Sequence, residues 1–410
     1  MSDIVLSASV RQNLLSLQST ADLLSTTQNR LATGNKVNSA LDNPTNYFTA
    51  QGLNSRASDI NNLLDGIGNG VQVLQAANTG ITSLQKLVDT AKSIANQALQ
   101  TNSGYTTKSS VAYTGAGAGT GAATADDLTG GGGAGGSKLT GSAFVFTTEA
   151  GAKTITIDGT TVKSLADLNK ALSSNGVSLT ASLTGANELT FMSTNDSAGQ
   201  TITTATTAAA AGTITGDAIE ISIAAASATA GSVTAAVPDA VSQSNRASLV
   251  SQYNQILDQI KTTAQDSSFN GVNLLNGDQL KLVFNETGKS TLTIQGVTFD
   301  PAGLGLNTLT AGTDFVDNFM TNKVLTSLNN ASSTLRSQAS TLGSNLSIVQ
   351  IRQDFSKNLI NVLQTGASNL TLADTNEEAA NVLALQTRQQ LSSTALSLAS
   401  QADQNVLRLF

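Results

Sequence analysis

Apolar residues at steps of three and four run along both ends of this 410-residue chain and lapse in the middle. At the N-terminus the line is Leu6, Val10, Leu14, Leu17, Ala21, Leu24 and Leu31, with Gln28 at its one polar position. Near the C-terminus it is Ala384, Arg388, Leu391, Ala395, Leu398, Ala402, Val406 and Leu409. Such spacing puts side chains on one face of an α-helix and demands a partner for that face. Each stripe finds one of similar length at the opposite terminus, so the fold expected is mainly α: N- and C-terminal helices paired as a coiled-coil rod, with the intervening chain at the far tip. Both stripes are diluted by Ala and Gln. At about 1.5–3 kcal/mol per fully buried large side chain they barely offset an ordering cost of about 1–2 kcal/mol per residue. Termini that order only within an assembly are the consequence.

The first helix has a written stop. Gly34 stands where a left-handed cap is wanted, residues 35–42 form a polar connector, and Asn43 followed by Pro44 reads as an N-cap with proline at the first helical position. The next helix carries Leu53, Ala57, Ile60, Leu64, Ile67, Val71, Leu74, Ala77, Ile81, Leu84, Val88, Ala91, Ala95 and Ala98, with one stammer between Leu74 and Ala77. Gly52, Gly66, Gly68, Gly70 and Gly80 interrupt it, each costing an exposed helix roughly 0.5–1 kcal/mol against Ala. Two readings fit them: close packing against neighbours, or a helix held weak until partners arrive.

From residue 101 to 240 the composition turns to Gly, Ala, Thr and Ser and the helical period vanishes, which marks an insertion. Its first part, with Gly130–133 and Gly135–136, is expected to be loop. It is no phosphate loop, because Gly136-Ser137-Lys138-Leu139 lacks the Gly-Lys-Ser/Thr core and a preceding apolar strand. Further on, Phe144, Phe146, Ile155 and Ile157 alternate with polar residues, Asp158-Gly159 reads as a hairpin turn, residues 164–172 as a short helix, and residues 177–192 as a second alternating pair around Gly185-Ala186-Asn187. A small ββαββ-like module is predicted. Ile219, Ile221 and Ile223 signal another strand, and Pro238 marks the exit.

Helix is expected to resume after Ser244-Asn245, with Leu249, Tyr253, Ile256 and Ile260 on one face. Residues 281–299 alternate as a hairpin with Gly288 in the turn. Val324, Leu328, Ala331, Leu335, Gln338, Leu342, Leu346 and Val349 then carry a long helix, diluted through Gln353, Ser356, Ile360 and Leu363. Asp374 with Glu377 opens the last helix as a capping box.

Composition closes off most chemistry. The chain has no His, Cys or Trp, so histidine bases, thiol nucleophiles, disulfides and Cys/His zinc sites are impossible, and no catalytic group, cofactor or metal ligand set is predicted. Asp196 and Glu188 are lone carboxylates of the kind that usually serve as solvated charge. With 28 acidic against 21 basic residues, a net charge of −7 and scattered cations, the surface is wrong for nucleic acid. No apolar run is long enough to span a membrane, and residues 1–10 lack the basic and apolar regions of a Sec-type signal.

With these pieces in view the chain resembles the bacterial flagellins at both ends. The resemblance rests on Leu31-Ala32-Thr33-Gly34 with Val37-Asn38-Ser39-Ala40 and Asp42-Asn43-Pro44, on residues 61–76, on Phe269-Asn270-Gly271-Val272, and on Ala402-Asp403-Gln404-Asn405-Val406-Leu407-Arg408-Leu409. It implies residues 1–43 and 365–410 as terminal helices of an inner filament core, 44–104 and 241–364 as a helical domain with a small hairpin, and 105–240 as an outer α+β insertion. It also implies a structural role: self-assembly into a flagellar filament after type III export as an unfolded chain. The implied partners are other copies of the chain, an export chaperone and export apparatus, and the filament cap and hook-junction proteins, outside the cell. The assembly interface implied is Leu6, Val10, Leu14, Leu17, Leu24, Leu31, Leu391, Leu398, Val406 and Leu409, with Gly34, Asn43 and Pro44 in the connector. A hook-filament junction protein and a surface adhesin are the alternatives. Two departures stand out. The insertion splits the helical domain between Leu99 and Gln243 rather than following the hairpin, and Val88 occupies a position where receptor-stimulating relatives carry a basic residue, so recognition by an innate immune receptor is expected to be weak or absent.

Overall fold

The computed structural model describes the backbone of residues 8–101, 104–114, 121–130, 136–185, 187–205, 218–223 and 229–409. In chain order the elements are α1 (Ala8–Thr33), α2 (Pro44–Gln100), β1 (Tyr105–Thr107), β2 (Ser110–Thr114), β3 (Ala143–Thr148), β4 (Gly151–Thr156), α3 (Leu165–Ser174), β5 (Leu179–Gly185), β6 (Glu188–Ser193), β7 (Thr201–Ala205), β8 (Ala218–Ile223), β9 (Thr229–Thr234), β10 (Val237–Pro238), α4 (Ala240–Asp266), β11 (Gln279–Val283), β12 (Thr291–Gln295), α5 (Asn318–Thr371) and α6 (Thr375–Leu409). Long helices at both ends and a β-rich insertion between them are the architecture expected. The chain divides into two compact units: Met1–Gln72 with Lys281–Ile294 and Asn345–Phe410, and Val73–Leu280 with Gln295–Ser344.

In the first unit α1 packs against α6. A small core also joins α2 to α5 through Ala57, Ile60, Ile360 and Leu363, with Leu53, Leu64 and Leu359 against it. In the second unit the expected stripe of α2 is fully realised, because Ala77, Ile81, Leu84, Val88, Ala91, Ala95 and Ala98 are all buried, as are Leu328, Ala331, Leu335 and Leu342 of α5.

The glycines of α2 divide between the two readings. Gly52, Gly66 and Gly68 face open space, whereas a Cβ at Gly70 would strike the Leu282 side chain, and one at Gly80 would strike Ser267, whose own Cβ would lie at 2.7 Å. Gly66→Ala is therefore expected to stabilise the chain by roughly 0.5–1 kcal/mol. Gly80→Ala gains the same propensity but overpacks against α4's C-cap at a cost of about 1–3 kcal/mol, leaving a net loss. Denaturant unfolding of the two variants should show midpoints moving in opposite directions; a shared direction would refute the packing account of Gly80.

α4 starts earlier than its polar N-terminal residues suggest. Asp239 caps it by accepting the Ser242 N–H at 3.0 Å, so the helix opens four to five residues before Ser244-Asn245. On its inner side sits Arg246, 1% exposed. Its Nη1 donates to Phe315 O at 2.7 Å, and its Nη2 to Thr101 O at 2.7 Å and to Asn318 Oδ1 at 3.3 Å. Burial pushes the guanidinium pKa down while the charge of Asp317 opposes it. Phe315, whose φ is 55°, packs its ring edge-on against Tyr253 at 5.9 Å.

The insertion is more ordered than its composition predicts. Two four-stranded sheets, in the orders β5-β6-β2-β9 and β4-β3-β8-β7, share one apolar core. All pairings are antiparallel except β7 with β8. Tyr113, Phe144, Phe146 and Phe191 meet at its centre, with Tyr113–Phe144 and Phe144–Phe191 centroids 5.8 and 5.0 Å apart in edge-to-face contact. The loop expected over its first part is corrected on two counts: Ser110–Thr114 is an inner strand, with Val111 and Tyr113 buried, and Leu128 and Leu139 are buried in the same core. Gly131–133 and Gly135 lie outside the described residues.

The predicted ββαββ order is present, but its two hairpins belong to different sheets. The hairpin turn expected at Asp158-Gly159 is instead at Glu149-Ala150, between β3 and β4. Asp158 serves another purpose. Its carboxylate accepts the N–H groups of Thr160, Thr161 and Val162, which holds its pKa well below the usual range and turns the chain toward α3. There Ser164 and Asp167 form a complete capping box, the two residues bonding each other's backbone. The hairpin expected over residues 281–299 is present as β11 and β12, with Gly288 at φ 69°.

Candidate assembly interface

α1 and α6 run antiparallel, because the connector after α1 pairs with the junction before α6. Lys36 N–H donates to Thr371 O at 2.7 Å, Ala373 N–H donates to Gly34 O at 2.9 Å, and Gly34 has φ 71°. Val37 is buried there. Asp42 Oδ2 gathers the N–H groups of Asn38 and Ser39 and the Ser39 hydroxyl, and these bonds lower its pKa. Asn43 Oδ1 accepts the Asn46 N–H at 3.0 Å, and Pro44 is the first residue of α2. Asp374 in turn accepts the Asn376 and Glu377 N–H groups at the head of α6.

The seam between the two helices is poor in large side chains. From α1 it receives Val10, Asn13, Leu17, Thr20, Leu24, Thr27 and Arg30, and from α6 Glu378, Val382, Leu385, Gln389, Ser392, Leu396 and Ala399, all partly or wholly covered. Buried Thr20 and Thr27 satisfy their hydroxyls on the carbonyls of Ser16 and Leu23, one turn back. Arg30 and Glu378 meet at 3.5 Å, an ion pair of the modest kind at its half-open end.

The residues expected at the interface fall into two groups. Val10, Leu17 and Leu24 turn inward and hold α1 to α6. Leu14, Leu31, Leu391 and Leu398 turn outward, Leu391 and Leu398 being 66% and 63% exposed. The α6 line read from the sequence therefore lies one residue, about 100° of helix rotation, away from the line that meets α1. The reason is that α6 carries two adjoining apolar lines and α1 covers only one. Leu6 lies outside the described residues, as do the side chains of Val406 and Leu409.

Leu15, Leu23 and Leu383 are also exposed, and α5 presents Ile348, Ile351, Phe355 and Val362 to solvent. Ile348, Ile351, Phe355 and Val362 form a second line beside the covered line of α5, and their steps of three, four and seven are legible in the sequence. Apolar surface in continuous lines marks contact sites more often than scattered single residues do.

The Asp196 carboxylate accepts the Asn318 side-chain amide at 3.0 Å and so joins the insertion to the start of α5. Among the described residues no group of three or more Asp or Glu side chains is placed to hold a metal ion, and no helix is long and apolar enough to cross a membrane.

Comparison with known proteins addresses the same two ends. Residues 5–114 match the bacterial flagellin N-terminal helical region and residues 325–410 the C-terminal helical region. Flagellin FljJ of Caulobacter vibrioides is 32% identical over 183 residues, 43% of this chain and 65% of that protein. Flagellin FljM of the same organism is 33% identical over 164 residues, 40% of this chain and 59% of the relative. Flagellin C of Rhizobium meliloti is 42% identical over 78 residues, 19% and 24% of the two chains. The match thus spans less than two thirds of each of these relatives.

Proposed function

We propose that this chain, which belongs to the bacterial flagellin family, is a structural subunit that polymerises into the extracellular flagellar filament and transmits thrust. The observation that carries the reading is the outward placement of Leu14, Leu31, Leu391 and Leu398 beside a dilute intrachain seam. Surface of this kind is stabilised only when neighbouring subunits cover it, and each large side chain so covered contributes up to about 1.5–3 kcal/mol. In the sequence Leu6, Val406 and Leu409 are further apolar residues at the outer ends of the two terminal helices. Residues 1–43 and 365–410 would supply the inner layer, 44–104 and 241–364 a surrounding helical layer, and 105–240 the outer surface, with Gly34, Asn43 and Pro44 setting the connector.

The remaining partners follow from this role. A terminal pair held by so little apolar area is readily kept unfolded, which suits delivery by an export chaperone to the export apparatus and insertion beneath a cap, next to hook-junction subunits. The chain has no cysteine to crosslink during such passage.

Seeded growth is the direct test. Purified chain added to short filament fragments should elongate them into regular fibres, followed by light scattering and electron microscopy. A chain lacking residues 391–410 should not. Failure of the intact chain to grow would favour a junction or adhesive role, and growth of the truncated chain would remove the terminal helices from the interface.

A further inference from the structure

We propose that Asn270-Gly271 is a site of spontaneous covalent modification, ageing through a cyclic imide to aspartate and isoaspartate. The inference stands independently of the filament reading. The chain contains four Asn-Gly pairs, at Asn69, Asn175, Asn270 and Asn276, and glycine is the follower that least obstructs attack by its own backbone nitrogen. In the reaction, the Gly271 nitrogen bonds to Asn270 Cγ and the side-chain nitrogen departs as ammonia. Water then opens the imide at either carbonyl, giving aspartate or, with the backbone rerouted through Cγ, isoaspartate.

The fold separates the four pairs. Asn69-Gly70 lies inside α2, where the attacking N–H is part of the helical ladder and Gly70 is covered by Leu282. Asn175 caps α3: its side-chain amide donates to Ala171 O at 2.8 Å, and the Gly176 N–H donates to Ser173 O at 3.1 Å. Asn276 donates its N–H to Asn273 O and bridges Thr298, while Gly277 O accepts the Gln295 amide. Asn270 and Gly271 differ. Both are exposed, both have left-handed φ values, 49° and 81°, and neither the Asn270 side chain nor the Gly271 N–H has a hydrogen bond among the described residues; the Asn276 side chain is likewise exposed and without a hydrogen bond among them, so that pair is set apart only by its backbone bond to Asn273 and its bridge to Thr298.

These angles belong to a two-residue type I′ turn, closed by reciprocal Phe269–Val272 bonds of 3.0 Å each. Opening it to bring the nitrogen onto Cγ releases only those two bonds, whereas opening the other sites disrupts a helix, a cap or a strand junction. Sites reached by small local openings react first. Isoaspartate would add a backbone atom to this two-residue turn between α4 and β11 and leave a new carboxylate on its surface.

The test incubates the full-length chain in warm, mildly alkaline buffer and follows the four peptides by mass spectrometry, with isoaspartate counted by enzymatic carboxyl methylation. The Asn270 peptide should convert more than about tenfold faster than those of Asn69 and Asn175, the factor that roughly 1.4 kcal/mol of extra opening cost confers, and should lead that of Asn276. Repeated in strong denaturant, the four rates should converge. An Asn276, Asn69 or Asn175 peptide that keeps pace in the native chain would overturn the assignment, as would an unchanged ranking in denaturant, since local sequence rather than the fold would then set it. Asn270→Ser should abolish the leading product without altering the others.

Discussion

Arg246→Met is expected to destabilise the unit containing α4 by about 3–5 kcal/mol, the range for removing one member of a buried charged network. Methionine fills the space but donates nothing. Phe315 O, Thr101 O and Asn318 Oδ1 would each lose a bond from a group that is 1% exposed, and an unsatisfied buried acceptor costs about 1–3 kcal/mol. Asp317, fully buried, with its Oδ1 engaged by the Met320 N–H and its Oδ2 lacking a hydrogen bond, would also lose the charge that balances it. Arg246→Lys keeps that charge but cannot reach three acceptors with a forked donor, so about 1–2 kcal/mol should be lost. Hydrogen exchange is the right measurement. Protection at residues 315–321 and along α4 should fall steeply in the Met variant and partly in the Lys variant, while α6 keeps its own rates. A loss below about 1 kcal/mol in Arg246→Met would mean that the guanidinium is not what joins these segments.

That network was invisible in the sequence for a definite reason. Arg246 is bound to partners 69, 72 and 145 residues distant, and neither period nor propensity carries information at such range. The same limit explains the insertion. Its alternating segments and its helix cap could be read locally, because Phe144, Phe146 and Ser164 signal within a few residues. That β3 would pair with β8 and β2 with β6 and β9 could not. Asp158-Gly159 misled because a short acidic residue before glycine also suits a turn that captures several N–H groups without reversing a hairpin. By contrast, the stripe of α2 from Ala77 to Ala98 was readable, since beyond its one stammer a single apolar line has one possible phase. α6 has two adjoining lines, Val382, Leu385 and Leu396 on one and Leu391 and Leu398 on the other, and periodicity alone does not choose between them.

The choice of phase matters for assembly and gives the largest expected effect on it. Leu391→Asp with Leu398→Asp should leave the isolated chain folded, because both side chains point to solvent at 66% and 63% exposure and each charge stays hydrated. In a polymer the same positions would have to be covered. Losing two buried leucines removes about 3–6 kcal/mol per subunit, before any cost of desolvating the new carboxylates, so the critical concentration for seeded growth should rise by roughly two to four orders of magnitude. Leu385→Asp with Leu396→Asp provides the contrast: these face α1, so the pair itself should loosen, with circular dichroism reporting lost helix in the monomer. Polymerisation at an unchanged critical concentration in the first variant would place the filament contacts elsewhere, and the exposed line of Ile351, Phe355 and Val362 on α5 would be the next surface to charge. Loss of monomer helix in the first variant and not in the second would instead show that α1 covers the opposite line of α6.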